Sequence, residues 1–188
     1  MSLSKTADLA DVSRAESVVS VHARHSDFVW LSLQRLGIPE RDLEDVLQEV
    51  FVVVHRKLHT FDGSSKITTW LFGICLRLSK SYRRRAWFRR ERFHDTNFFE
   101  ERAAQTVSPE ERYAIKQKGA RLTEILNGID PEKRAVFVMF EVDELSCEEI
   151  AETVGIPVGT VYSRLHSARK RFARLVERGQ ARQPMGAP

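Results

Sequence analysis

SCEEIAETVGIPVGTVYSRLHSARKRF, residues 146–172, decides the fold of the half of the chain that contains it. Ser146 followed three residues later by Glu149 is a capping box, in which each side chain satisfies a backbone N–H that the helix cannot. A helix therefore starts here. Gly155 tolerates the positive φ that closes a helix, and Pro157 is pre-shaped to open the next one. Ile150, Ala151, Val154, Ile156 and Val161 fall where two short helices would pack on each other. Tyr162, Ser163, Arg164, His166, Arg169 and Lys170 are left facing outward on the second. The pattern is a helix-turn-helix, whose second helix fits a DNA major groove.

Outward from that stretch the apolar spacing is helical nearly throughout, with no strand signature and no internal repeat. A first helix is expected from about Val18 to Leu36, with Val21, Phe28, Leu31 and Leu36 inward and Gly37 stopping it. Pro39 opens a second helix to about His59, its stripe Leu43, Leu47, Val50 and Val54 at steps of three and four. Phe61–Ser65 is a turn. A third helix runs from near Thr68 to about Arg90 with Trp70, Leu71, Ile74 and Leu78 inward. Residues 91–107 lose the periodicity and read as a linker carrying Phe93, Phe98 and Phe99. Ser108-Pro109-Glu110-Glu111 restarts a helix to about Leu126, by cap, N1 proline and acidic first turn. Asp130-Pro131-Glu132 starts another, holding Val136, Phe137, Met139 and Phe140. Gly179 is expected to end the last helix, and the tail ARQPMGAP reads as disordered. The fold class is thus all-α, two small helical bundles at 18–91 and 108–179 on a flexible linker, 92–107, with a tail at 180–188.

The 188 residues allow one domain or two small ones, and 42% hydrophobic with 30% charged residues fits a globular chain. No apolar run approaches the roughly 18–20 residues of a membrane span, and the amino terminus has no signal-peptide core. Cys75 and Cys147 match neither a disulfide framework nor a metal site, so a reducing cytoplasm is expected. Net charge is only +4, but residues 61–90 hold eight Lys/Arg against one acid, and residues 146–188 seven against four. Positive charge concentrated at two places suits a polyanion bound at two places.

Few residues invite bond chemistry. Asp42, Asp45 and Glu49 share one face of the second helix, either as a solvated face or as a docking face for a basic partner. His22/His25 and His55/His59 have helical spacing, but no further ligand completes four-coordinate zinc. Nucleotide-loop, nucleophile-elbow and zinc-protease motifs are absent. No enzyme activity, metal or cofactor is expected. By contrast, the Gly63-Ser64-Ser65-Lys66 turn leads into a helix with Trp70 near its start and Arg83-Arg84-Arg85 near its end. Such a loop can hold an extruded base, an aromatic can support unstacked bases, and arginines can track phosphates.

Three motifs, DLEDVLQEVFVVVHRKLHTF at 42–61, FDGSSKITTWLFGICLRLSKSYRRR at 61–85 and LSCEEIAETVGIPVGTVYSRLHSARKRF at 145–172, together resemble the extracytoplasmic-function (ECF) sigma factors of bacterial RNA polymerase. The likeness covers about Phe28 to Val176. It implies a region 2-like bundle and a region 4-like helix-turn-helix bundle, acting in transcription initiation without catalysis. Asp42, Asp45, Gln48 and Glu49 would dock on core RNA polymerase. The loop Gly63 to Ile67, with Ser64, Ser65 and Lys66, would capture a flipped base of the −10 element, and Trp70, Arg77, Lys80, Arg83, Arg84 and Arg85 would also contact −10 DNA. Thr160, Tyr162, Ser163, Arg164, His166, Arg169 and Lys170 would read the −35 element. Family members commonly have a basic residue at Tyr162 and at Gly73, and an asparagine at Arg77. They are also commonly held inactive by an anti-sigma factor, often membrane-bound. Two other readings are a helix-turn-helix regulator that binds duplex DNA unaided and a helical protein-binding adaptor. The first leaves the acidic helix and the Trp70 loop without a role.

Overall fold

The computed structural model describes residues 17–92, 119 and 121–181, and every regular element among them is helical. The helices group into two compact units.

The first unit begins with α1 (Val18–Arg35) and α2 (Glu40–Lys57), followed by a 3-10 turn (Leu58–Thr60) and the long α3 (Ile67–Arg92). Gly37 stops α1 with φ 89°, and the Ile38 N–H donates back to the Leu33 carbonyl at 3.1 Å, a Schellman-type closure. Pro39 sits in extended geometry just before α2. The core is Val21, Val29 and Leu33 from α1, Leu43, Val46, Val50, Phe51 and Val54 from α2, and Leu71, Phe72, Ile74, Cys75 and Leu76 from α3.

Some inward assignments differ from the periodicity. Leu31 is 42% exposed and Phe28 only half-buried, because the buried stripe of α1 runs through Val21, Val29, Ser32 and Leu33. Leu31, two residues before Leu33, is about 200° away from it around the helix. Leu47 is half-buried, since Val46 and Phe51 take the inward positions. Trp70 and Leu78 are also half-buried, while Phe72, Cys75 and Leu76 close the core around Leu71 and Ile74. Six consecutive α3 residues, 71–76, are buried, so the first half of α3 is enclosed nearly all round.

The second unit holds helical residues 121–127, α4 (Pro131–Glu141), α5 (Cys147–Val154) and α6 (Val158–Ala181). The Asp130 side chain accepts from the N–H groups of Glu132 and Lys133 at 3.1 and 3.3 Å, which starts α4 with proline at its first position. Both arms of the Ser146–Glu149 capping box form, at 2.8 and 3.2 Å. Gly155 adopts φ 72° and ψ 45°, and the Gly155 and Ile156 N–H groups both donate to the Ala151 carbonyl. The turn then delivers Pro157, whose carbonyl accepts from Thr160 at 2.8 Å as α6 begins. Val136, Val138, Met139, Ile150, Val161 and Ala168 are fully buried. Phe137 stacks on Phe172 with ring centres 5.0 Å apart. Val154, Ile156 and Phe140 are only half-buried.

Gly179 does not end the last helix. It keeps a right-handed φ and α6 continues to Ala181. Glycine costs a helix interior only about 1 kcal/mol, so it stops a helix only where the backbone turns left-handed, as at Gly37 and Gly155. The expected linker from 93 onward, its three phenylalanines, the helix start at Ser108 and the tail beyond Ala181 lie outside the described residues.

Candidate nucleic-acid interface

Three surfaces collect the residues singled out in the sequence. The first is on α2. Asp45 and Gln48 are exposed, while Asp42 and Glu49 are half-buried and turned toward α3. The Tyr82 hydroxyl donates to Asp42 Oδ2 at 2.5 Å. Arg85 Nη2 reaches both oxygens of Glu49, at 2.9 and 3.2 Å. The acidic face is therefore split into an outward edge, Glu44, Asp45 and Gln48, and an inner pair that ties α2 to α3. Beyond it Leu47, Phe51 and Val52 line an open groove of about 420 Å³ rimmed by His22, His55 and Arg56. The His22 ring packs on Phe51 at 4.4 Å. Among the described residues no group of three or more His, Cys, Asp or Glu is placed to hold a metal ion.

The second surface is the loop before α3 with the helix that follows. Asp62, Gly63, Ser64, Ser65 and Lys66 are all exposed. Asp62 Oδ1 accepts the Ser64 N–H at 3.0 Å, and Gly63, between them, takes φ 75°. That backbone hydrogen bond, aided by the Ser64 hydroxyl, holds the Asp62 carboxyl below its ordinary value. The Trp70 backbone N–H donates to the Lys66 carbonyl, and the Trp70 ring lies 5.5 Å from that of Phe61, at the root of the loop with its surface partly open. Farther along α3, Arg77, Lys80 and Arg84 are exposed and Arg83 is half-buried. Arg85 is exposed, but its guanidinium serves Glu49.

The third surface is the start of α6. Tyr162, Ser163, His166 and Lys170 are exposed at steps of one, three and four, with Val161, Leu165 and Ala168 buried behind them. The capping box and the left-handed Gly155 fix the angle at which this face is presented. The Cys147 sulfur and then the Glu148 carboxylate lie near the Tyr162 hydroxyl and hold its pKa above the ordinary phenol value. Tyr162 thus presents a neutral hydroxyl and a ring face on this surface. Thr160 is half-buried.

Two arginines of this helix are engaged elsewhere. Arg164 pairs with Glu132 at the start of α4. Arg169 pairs with Glu141 at 2.6 Å and lies 4.9 Å over the Phe140 ring. They clamp α6 on α4, and Lys170 is exposed on this face with no ion pair among the described residues. Three residues of these surfaces were missed by sequence reasoning. Gly159 is exposed in the first turn of α6, Tyr82 is the buried partner of Asp42, and Trp87 is exposed near the end of α3. Only Trp87 carried a usable signal, a large aromatic set among arginines.

Residues 21–89 match the family model described as Sigma-70 region 2, and residues 119–172 that described as Sigma-70, region 4. The chain is 33% identical over 150 residues to the ECF RNA polymerase sigma factor SigE of Mycolicibacterium smegmatis, covering 79% of this chain but 57% of that protein. It is 31% identical over 145 residues to the ECF RNA polymerase sigma-E factor of Escherichia coli K12, covering 74% and 76%. Among solved structures, CnrH in complex with the cytosolic domain of CnrY superposes with a TM-score of 0.62 at 25% identity, over 90% of this chain and 95% of that one.

Proposed function

Because this chain belongs to the ECF RNA polymerase sigma factors, a family of non-enzymatic transcription initiation factors, we propose that it binds core RNA polymerase and directs it to promoters through a −10 and a −35 contact. The division of labour is 18–91 for polymerase docking and −10 melting, 108–179 for the −35 element, and 92–107 as the tether. Asp45 and Gln48, with Asp42 and Glu49 behind them, meet the polymerase. The exposed loop Gly63–Lys66 and Trp70 take a base that leaves the stack, paying for its extrusion with hydrogen bonds and ring contact. Arg77, Lys80, Arg83 and Arg84 hold the adjoining phosphates, with Arg85 available once it leaves Glu49. Tyr162, Ser163, His166 and Lys170 enter the major groove, and Thr160, Arg164 and Arg169 support them.

The observation that carries this reading is the coexistence, in one chain, of two separate basic surfaces and one acidic helix edge. A duplex-binding regulator would need only the helix-turn-helix. Each surface offers few base contacts, each discriminating by roughly 1–3 kcal/mol, so both must be delivered to one promoter together.

An anti-sigma protein is the expected inhibitor, in keeping with the solved complex of CnrH with the cytosolic domain of CnrY. No helix among the described residues is long and apolar enough to cross a membrane. The chain is placed in the cytoplasm on this reading, with any membrane attachment supplied by that partner.

Transcription in vitro by core polymerase on a promoter library tests the function. New transcripts from discrete start sites, lost in the Ser163→Ala/His166→Ala double variant, are expected. A transcript profile unchanged by adding the wild-type chain rules the function out.

A further inference from the structure

The apolar groove along α2 and the cations at the far end of that helix have no part in docking a basic partner. The helix is polarised, with Glu40 and Asp42 in its first turn and His55, Arg56 and Lys57 in its last. The two exceptions are neutralised inside the chain. Arg41 pairs with Asp42 at 3.4 Å, and Glu49 with Arg85 at 2.9 Å. Acids at a helix start and bases at its end suit the helix dipole, but that effect fades within one turn. It does not account for Asp45, which lies beyond the first turn. Asp45, His55 and Arg56 are exposed with no ion pair among the described residues.

Asp45, Gln48, Val52 and His55 follow one another at steps of three, four and three, and Arg56 is four beyond Val52, so all share one face. Val52 is 49% exposed at its middle. With Leu47 and Phe51 it floors the groove of about 420 Å³ that His55 and Arg56 rim. The stripe thus runs acid, apolar, base. A basic partner satisfies Asp45 but meets His55 and Arg56 with like charge, and an acidic partner does the reverse. A second copy of the stripe, laid end for end, satisfies both. A two-fold axis crossing the face between Gln48 and Val52 sets Asp45 of each copy opposite His55 and Arg56 of the other and joins the apolar floors. Asp45 and His55 are about 15 Å apart along the helix, so one short pairing meets both charged ends. Every contact is made twice, as two-fold symmetry requires.

We propose that the outer face of α2 is a homodimerisation surface, pairing antiparallel with α2 of a second copy of this chain. One helix face per partner is at the small end of specific interfaces, so association is weak and reversible. The charged ends set the orientation, because a parallel pairing puts Asp45 on Asp45 and Arg56 on Arg56. On the promoter-directing reading the pair covers Asp45 and Gln48, so that dimer and polymerase-bound chain exclude each other. The dimer itself does not depend on that reading.

Sedimentation equilibrium of the full chain across the micromolar range, without polymerase or DNA, tests the pairing. The wild-type chain is expected to shift reversibly from monomer to dimer mass. Asp45→Lys and Arg56→Glu, each alone, should weaken association roughly tenfold or more, since each sets like charges together on both sides of the axis. An equimolar mixture of the two variants should recover the wild-type dimer. In that mixed pair the new cation faces the new acid, and the native Asp45 faces the native Arg56. A wild-type chain that stays monomeric at every concentration overturns the proposal. So does a dimer that neither reversal weakens, which would lie on another face. A mixture that remains monomeric, with circular dichroism unchanged in both variants, overturns it as well. Should either variant lose helix content, Val52→Ser takes its place, and an unweakened dimer then overturns the proposal. Polymerase is absent throughout, so failure of the docking assignment leaves these outcomes untouched.

Discussion

Asp42 and Glu49 show what side-chain chemistry alone left open. Both were expected on a docking face, yet each has a partner on α3, in Tyr82 and Arg85. The partners are 40 and 36 residues away in sequence, so helical spacing gave no sign of them. The Glu49–Arg85 pair is about half exposed, at 40% and 49%, and such pairs contribute only about 0–1 kcal/mol. Reversal at the two acids should therefore separate. Asp45→Lys is expected to weaken core polymerase binding roughly tenfold or more, since like charges at an interface cost several kcal/mol, with Tm unchanged. Glu49→Lys should weaken binding and also lower Tm slightly, because it faces Arg85. Competition binding and calorimetry decide, and wild-type core affinity in Asp45→Lys would clear this face of docking. Asp62 makes a second test at the same scale. Its pKa lies below 3.8 because the Ser64 N–H and then the hydroxyl favour the charged form. The loop contact is thus fully present above the unfolded value and is lost as pH falls through the folded one. An NMR titration should place the Asp62 midpoint below 3.8, and Ser64→Pro, lacking both donors, should move it back up.

Helix ends were legible where their chemistry is local. The Ser146 box, the Asp130 cap, Gly37 and Gly155 each act within a few residues, and all four formed as the residue types require. Faces were less legible. Leu31 and Trp70 fit an apolar period but are not fully buried, because which side of a helix is covered depends on elements elsewhere in the chain. Of the outward set on α6 only Arg164 is half-buried, but both Arg164 and the exposed Arg169 pair with α4 carboxylates, which helical spacing could not show. The local devices have measurable weight. Ser146→Ala removes one arm of the capping box and should destabilise the second unit by about 1 kcal/mol, a Tm fall of roughly 4–8 °C in a unit of this size. Thermal unfolding followed by circular dichroism checks it. A loss of −35-dependent transcription larger than the stability change would show that the cap also sets the angle of α6 toward DNA.

Across the whole molecule, charge count and charge availability are different quantities. The chain carries 30 Lys and Arg residues, but on the two candidate DNA-binding surfaces Arg85, Arg164 and Arg169 pair with carboxylates of the protein itself. Arg77, Lys80 and Arg84 on the first unit, and Lys170 on the second, are exposed with no ion pair among the described residues. Only cations of this second kind release counterions from DNA at no cost to the fold, each contributing about 0.9 to the slope of log affinity against log salt. Replacing Arg77, Lys80 and Arg84 together by Gln should thus flatten the holoenzyme's promoter-binding slope by roughly 3. Arg164→Gln and Arg169→Gln should leave the slope nearly untouched and lower Tm instead. A slope that responds equally to both sets would mean that the internal pairs open on DNA and that the protein exchanges its own carboxylates for phosphates. An unresponsive slope in the triple variant would remove α3 from the DNA and leave the helix-turn-helix to bind alone.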